Sequence, residues 1–232
     1  MKDERLHSSE HGRWYLGAGI GASWPQVTNN HFVATGAGWP DDHYVLRHEN
    51  KSWVFSGATG YQWATAHQWL PFYNIGVDYT YFPATNINGH IFQYSLPQFW
   101  NYAYQYKIMR QTLLGTLKAN FFRYHNLMSF FEVGLGGTAN TMGHFTEVPH
   151  SGITPRSSPF FHEKTTSYFS YRLGAGLDYI IAAQWWLGIG YYYQDFGHAS
   201  THTGGALYNT EALRTRLTDQ SLVVRAHYFF KE

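Results

Sequence analysis

His198, Ser200 and Glu211 have the residue types that nucleophilic catalysis needs. A histidine takes the serine proton, the serine oxygen attacks a carbonyl, and a carboxylate holds the imidazole in the useful tautomer. The stretch around His198-Ala199-Ser200 is rich in Gly and Thr, which is also ordinary loop composition. The 14 histidines raise a second chemistry, metal ligation. His31, His43, His48, His90, His144, His150, His162, His198 and His202 fall outside the regularly patterned segments. No helical zinc-site pattern holds them, and without cysteine no thiolate can join them. The expectation is therefore solvent-exposed histidines, with no metal and no cofactor.

The elements that would position these residues follow from composition and period. The 232 residues suit one domain or at most two, and a net charge of +1 suggests no nucleic acid partner. Aromatic residues make up 19% of the chain and charged residues only 13%, against roughly 25% charged in an ordinary soluble domain. Mean hydropathy is −0.38, and no apolar run approaches the roughly 18 residues of a membrane helix. Residues 1–12 read as a polar lead-in. No apolar stretch follows their charges, so a signal peptide is absent or already removed. Residues 13–230 read as the folded domain.

From Trp14 onward apolar residues alternate with period two, the signature of a strand. Trp14, Leu16, Ala18, Ile20 and Ala22 share one face against Tyr15, Gly17, Gly19, Gly21 and Ser23. The last segment sets Leu222, Val224, Ala226, Tyr228 and Phe230 against Ser221, Val223, Arg225, His227 and Phe229. Eight such segments result, each about as long as a tilted strand needs to cross hydrocarbon. Short connections near 64–70, 122–128 and 182–184 alternate with long ones over about 24–50, 83–103, 144–166 and 196–217. The fold class expected is all-β: an eight-stranded antiparallel up-and-down transmembrane β-barrel, with four long extracellular loops and three short periplasmic turns.

The placement of charge distinguishes this from a soluble barrel. The apolar faces carry no Asp, Glu, Lys, Arg or His, and Gln111 is their most polar member. A charge facing lipid at mid-bilayer costs about 2–4 kcal/mol. A soluble barrel would instead hide its aromatic face and keep its outer face charged. The opposite faces hold Asp78, Arg110, Lys118, Glu132, Arg172, Asp178 and Arg225, expected to form a polar network that fills the lumen. Lys118 and Glu132, symmetric about a short turn, are expected to face each other. Trp14, Trp63, Tyr73, Phe121, Phe131, Tyr179, Trp185 and Phe230 fall at the short-turn ends and are expected to form a membrane aromatic girdle. The long connections carry aromatics that look exposed: Trp39, Tyr44, Phe92, Tyr94, Phe99, Trp100, Phe160 and Phe161.

The segments WYLGAGIGAS, FEVGLGGTAN, YRLGAGLDYII, WWLGIGYYYQDFG and SLVVRAHYFF resemble the small bacterial outer-membrane barrels of the opacity-protein and OmpA-like group. The resemblance spans about Arg13 to Phe230. It implies an outer-membrane location and contact with membrane lipid and lipopolysaccharide. It also implies insertion by the barrel assembly machinery, which reads a closing aromatic. Phe230 fills that role, although Lys231 and Glu232 follow it. The leading functional expectation is a structural or adhesin-like surface barrel whose loops meet a host or surface ligand. A narrow pore for small solutes or ions is second. An outer-leaflet lipid A deacylase-type hydrolase is third, with His198, Ser200 and Glu211 as its candidate residues. That enzyme group has Asn directly after its Ser, where this chain has Thr201.

Overall fold

The computed structural model describes residues 12–28, 30–34, 38–49, 51–155, 161–203 and 211–231. Most of the N-terminal lead-in, and Phe160, lie outside the described residues. The strands are β1 (Arg13–Thr28), β2 (Asn30–Val33), β3 (Asp42–Glu49), β4 (Ser52–Ala64), β5 (Phe72–Phe92), β6 (Trp100–Tyr124), β7 (Leu127–Pro149), β8 (Lys164–Ala182), β9 (Trp185–Ser200) and β10 (Arg214–Phe229). Eight of them close a ring. β1 pairs with β4, β4 with β5, and so on in chain order to β10, which returns to β1 from Tyr15–Phe229 up to Thr28–Arg216. A closed ring leaves no open edge in the hydrocarbon.

The ten assigned strands reduce to eight staves. β2 and β3 are detached upper pieces of the first two. Arg13 faces Gln62 and Ser23 faces Ser52 between β1 and β4, and Asn30 facing Val45 keeps the same pairing frame. β3 and β4 likewise lie end to end along β5, at Ile87–Phe92 and Phe72–Tyr81.

The outer face of the ring carries Leu16, Ile20, Ile75, Val77, Leu113, Leu117, Leu135, Leu173, Leu177, Ile189 and Val224, all exposed. Trp14, Phe131, Tyr179, Trp185 and Phe230 are exposed at the turn end of this band, and Trp63, Tyr73 and Phe121 are half-exposed beside them. Inward glycines make room for large polar side chains. A Cβ at Gly19 would lie 2.7 Å from Arg225 Cγ and 2.6 Å from Ser56 Oγ, and one at Gly190 would lie 2.7 Å from the Tyr192 ring.

The long connections are shorter than the sequence reading had them. The loop expected over 83–103 is instead the upper halves of β5 and β6, joined by two short 3-10 turns, Gln93–Ser95 and Pro97–Phe99. The reason is an inversion of the alternating pattern. Along β6, Tyr102, Tyr104, Tyr106 and Ile108 point inward and are buried, as are Arg110, Thr112, Thr116 and Lys118 further down the same face. The apolar face thus points in above the membrane and out within it. On β5 the switch is made by a bulge between Phe82 and Thr85, at Pro83, which has no N–H to give the ladder. Tyr79 and Tyr81 lie on the lipid side, whereas Ile87 and Ile91, of the same parity, are buried inside.

Above the membrane, then, the molecule packs like a soluble barrel, around Val33, Tyr44, Ile87, Ile91, Tyr104 and Phe161. Ile91→Asp places an unpaired charge in that upper core. The expected outcome is new protease cleavage in the extracellular extension of intact cells, with the heat-modifiable gel shift of the transmembrane ring retained.

Candidate functional site

Three regions present chemistry: the rim of β9, the lumen, and the extracellular tip. At the rim, His198 is exposed with its ring 5.6 Å from Tyr168, and Ser200 is buried. Among the described residues no hydrogen bond joins His198 to Ser200, and Glu211 acts electrostatically on His31 instead. No hydrogen bond or ion pair links the three candidate residues among the described residues. No group of three or more His, Cys, Asp or Glu is placed to hold a metal ion among the described residues.

The lumen is built in layers. At the periplasmic end Tyr15, Phe72, Met128, Ile180, Trp186 and Phe229 pack together. The Arg13 guanidinium lies 3.9 Å over the Phe229 ring and donates to Gln62 Oε1 and to the Ala183 carbonyl. Above this plug Lys118 Nζ pairs with Asp178 at 2.7 Å, and Asn120 Nδ2 donates to the same carboxylate at 2.6 Å. Lys118 and Glu132 are cross-strand neighbours as their symmetry about the turn implies, but Lys118 turns to Asp178.

Glu132 belongs to the next layer, a closed square of alternating charge. Arg172 bonds Asp78 at 2.8 Å and Glu132 at 2.7 Å, and Arg225 meets the same two carboxylates at 3.1 Å each. Thr80 donates to Asp78, and the Tyr192 ring underlies both guanidiniums. Higher still, Arg110 pairs with Asp219 at 2.9 Å between the rings of Phe82 and Phe196, and Ser23 donates to Asp219.

All seven network residues named from the sequence are buried in the lumen. Asp219 was missed because the sequence reading began the last strand at Ser221; a strand two residues longer would have turned it inward. Within this network four acids, Asp78, Glu132, Asp178 and Asp219, thus face four bases, Arg110, Lys118, Arg172 and Arg225, so the charge of the network cancels. A void of about 10 Å³ beside Thr80, Gln194 and Arg225 holds one water at most. The void beside Lys118 and His227 has no room for water at all.

At the extracellular tip rings touch in series across the strands. Phe32 stacks on His43 at 4.4 Å, His43 meets Phe92, Phe92 meets Trp100, and Trp100 lies 4.5 Å from His90 and 5.4 Å from His150. Beside this ridge Tyr94 contacts Trp39 at 5.3 Å and Phe99 at 5.9 Å. Trp39 is 62% exposed and Trp100 48%. Tyr44 and Phe161, also expected to be exposed, are instead buried within the upper core. The tip is pinned: Asp42 Oδ1 accepts from the Tyr94 N–H at 3.0 Å, and Ser95 Oγ donates to the Asp41 carbonyl at 2.7 Å. Tyr94 and Ser95 both hold positive φ, 56° and 58°, a conformation that non-glycine residues adopt only under constraint. Burial, then the Arg47 guanidinium and the His150 ring, hold the His90 imidazole below its ordinary pKa.

Removing one partner from the lumen square tests its energetics. Glu132→Ala leaves two guanidiniums on one carboxylate, with an expected loss of about 3–5 kcal/mol in urea unfolding from lipid vesicles. Replacing Glu132 and Arg225 together by Leu keeps the Arg172–Asp78 pair neutral and is expected to recover most of that loss.

The family model for the outer membrane protein beta-barrel domain matches residues 4–218. No curated protein matches the sequence. Among solved structures, OprG from Pseudomonas aeruginosa aligns with a TM-score of 0.51 at 14% identity, covering 96% of this chain and 98% of that one. Neisserial surface protein A aligns at 0.46 and 12%, covering 95% and 100%. Ail from Yersinia pestis, solved in complex with the heparin analogue sucrose octasulfate, aligns at 0.41 and 11%, covering 94% and 99%. At these identities the OprG likeness bears on fold, not on activity. With the closed ring, the lipid-facing apolar band and the match along most of its length, the chain belongs to the outer-membrane β-barrel family and resides in the outer membrane of Gram-negative bacteria.

Proposed function

We infer that this protein is a surface-recognition barrel: a sealed transmembrane ring whose extracellular extension presents an aromatic binding tip. The observation that carries the reading is the ring series from Phe32 to His150, which exposes Phe32 and Trp100 and leaves its other rings half-buried, flanked by exposed Trp39 and Phe99 and half-buried Tyr94. Large rigid rings bury much area at low entropic cost, and pinning them in advance favours binding further. The hydrogen bonds of Asp42 and Ser95 supply that pinning. Exposed aromatic surface on a rigid scaffold is characteristic of interaction sites. The filled lumen argues against the pore reading, and the exposed His198 and the buried Ser200 share no hydrogen bond, which leaves the hydrolase reading without support.

The test pairs two measurements on protein reconstituted in lipid. Single-channel recording is expected to show a closed bilayer over many insertions; a steady unitary conductance would reinstate the pore. On an array of glycans and extracellular-matrix proteins, the triple variant Trp39→Ala, Phe99→Ala, Trp100→Ala is expected to lose at least about tenfold in binding. Binding unchanged by that variant would remove the tip from the mechanism.

Acid should loosen the tip. The folded state disfavours protonated His90, so its pKa lies below that of the unfolded chain. As pH falls below about 6.5 the unfolded form takes up the proton first, and the extension loses stability progressively until pH drops beneath the folded value. Hydrogen-exchange protection in the segment joining β5 and β6, taken relative to the intrinsic amide rate at each pH, is expected to fall between pH 7.5 and 5, and His90→Gln is expected to flatten that dependence.

A further inference from the structure

On the lipid-facing wall, β5 to β8 enclose a groove of about 540 Å³ that opens outward. Its floor is Gly137 and Ala139, where the neighbouring staves carry bulky apolar residues, and its sides are Tyr79, Tyr168 and Phe169. It lies toward the extracellular end of the apolar band, since Gly137 pairs with Phe169 and Leu113 with Tyr79. Protein packing does not require the small residue: a Cβ at Gly137 would meet nothing nearer than the Tyr168 carbonyl at 3.9 Å.

Two polar features indicate what fills it. Gln111 is the lone amide on the outward face of β6 below Lys107. Its Oε1 accepts from the Tyr79 hydroxyl at 3.1 Å, and its amide nitrogen donates to none of the described residues. An unmet donor at the hydrocarbon edge is costly, so an acceptor from the membrane belongs there. Further up the wall stand a hydrogen-bonded hydroxyl pair, Thr141 and Thr165 at 2.8 Å, and the exposed Lys107. Lys107 shares its face of β6 with Gln111, ~13 Å higher at the rise of an extended strand, and makes no ion pair among the described residues. The ascending order is apolar groove, amide donor, hydroxyls, ammonium. That order matches an acyl chain, its carbonyl, a sugar and a phosphate. We propose that the groove is a seat for an acylated, phosphorylated glycolipid of the outer leaflet, of the lipid A class. The acyl chain lies on Gly137 and Ala139, the carbonyl accepts from Gln111, and the phosphate meets Lys107.

The experiment is native mass spectrometry of the protein released from nanodiscs of equimolar bis-phosphorylated lipid A and phosphatidylglycerol. The wild type is expected to retain lipid A in preference to phosphatidylglycerol. Gly137→Leu fills the groove without backbone clash and is expected to reduce retention by about tenfold. Gln111→Leu and Lys107→Gln are each expected to reduce it by about threefold. Ala226→Leu changes a small lipid-facing residue on β10, paired with Ala18 and Leu187 away from the groove; it controls for folding and is expected to retain lipid A fully. Three results would overturn the seat: phosphatidylglycerol held equally or in preference, no lipid held by the wild type, or Gly137→Leu with an intact heat-modifiable shift binding lipid A as the wild type does.

Discussion

Two guanidiniums and two carboxylates, each touching both of the opposite kind, occupy the middle of the barrel. Within the bilayer the outer wall can hold no uncompensated charge, so every ionised group in that zone must point inward and find a partner there. Arg172, Asp78, Arg225 and Glu132 meet that requirement jointly, reaching across from β8, β5, β10 and β7. Three of its four ion pairs therefore tie together staves that are not neighbours in the ring, a role taken in a soluble barrel by an apolar core; the exception is Arg172–Glu132, between β8 and β7. The glycines around it follow from its bulk, because side chains of this size at the axis leave no room for a Cβ on the facing strand.

The same solvent rule, applied at a different height, accounts for the upper half. Where the staves leave the membrane the surrounding medium becomes water, and the preferred face for apolar side chains reverses. β6 reverses by exchanging its residue types at Ile108 and Met109, and β5 by inserting a bulge at Pro83. Lipid-facing wall, charged lumen and apolar upper core are thus three responses of one continuous sheet to its surroundings. The membrane part gives the molecule its place and its rigidity. The upper core carries that rigidity outward to an aromatic tip whose backbone is locked by Asp42 and Ser95.

Much of this was legible in the residues. The alternation of Trp14–Ala22 and its counterparts, and the absence of charge on those faces, required a closed ring in hydrocarbon, because no other arrangement of such strands satisfies both backbone and side chains there. Inward placement of the seven charged lumen residues follows from parity alone, since the period of a strand is two. The pairing among them does not. Lys118 and Glu132 are cross-strand neighbours, yet each is bound elsewhere, because a long side chain at the barrel axis reaches several staves equally well.

What the sequence determined by itself is local and periodic: which residues alternate, which faces tolerate lipid, where the short turns fall. What only the tertiary structure decided is everything that depends on distance across the ring or on height above the membrane. The phase reversal in β5 and β6 made real strands look like a loop. The partners of Arg110 and Lys118 lie on distant staves. The loop aromatics divided into buried Tyr44 and Phe161 and exposed Trp39 and Trp100. The physical reason is the same in each case: a period of two states on which side a residue lies, and only closure of the sheet states what else lies there.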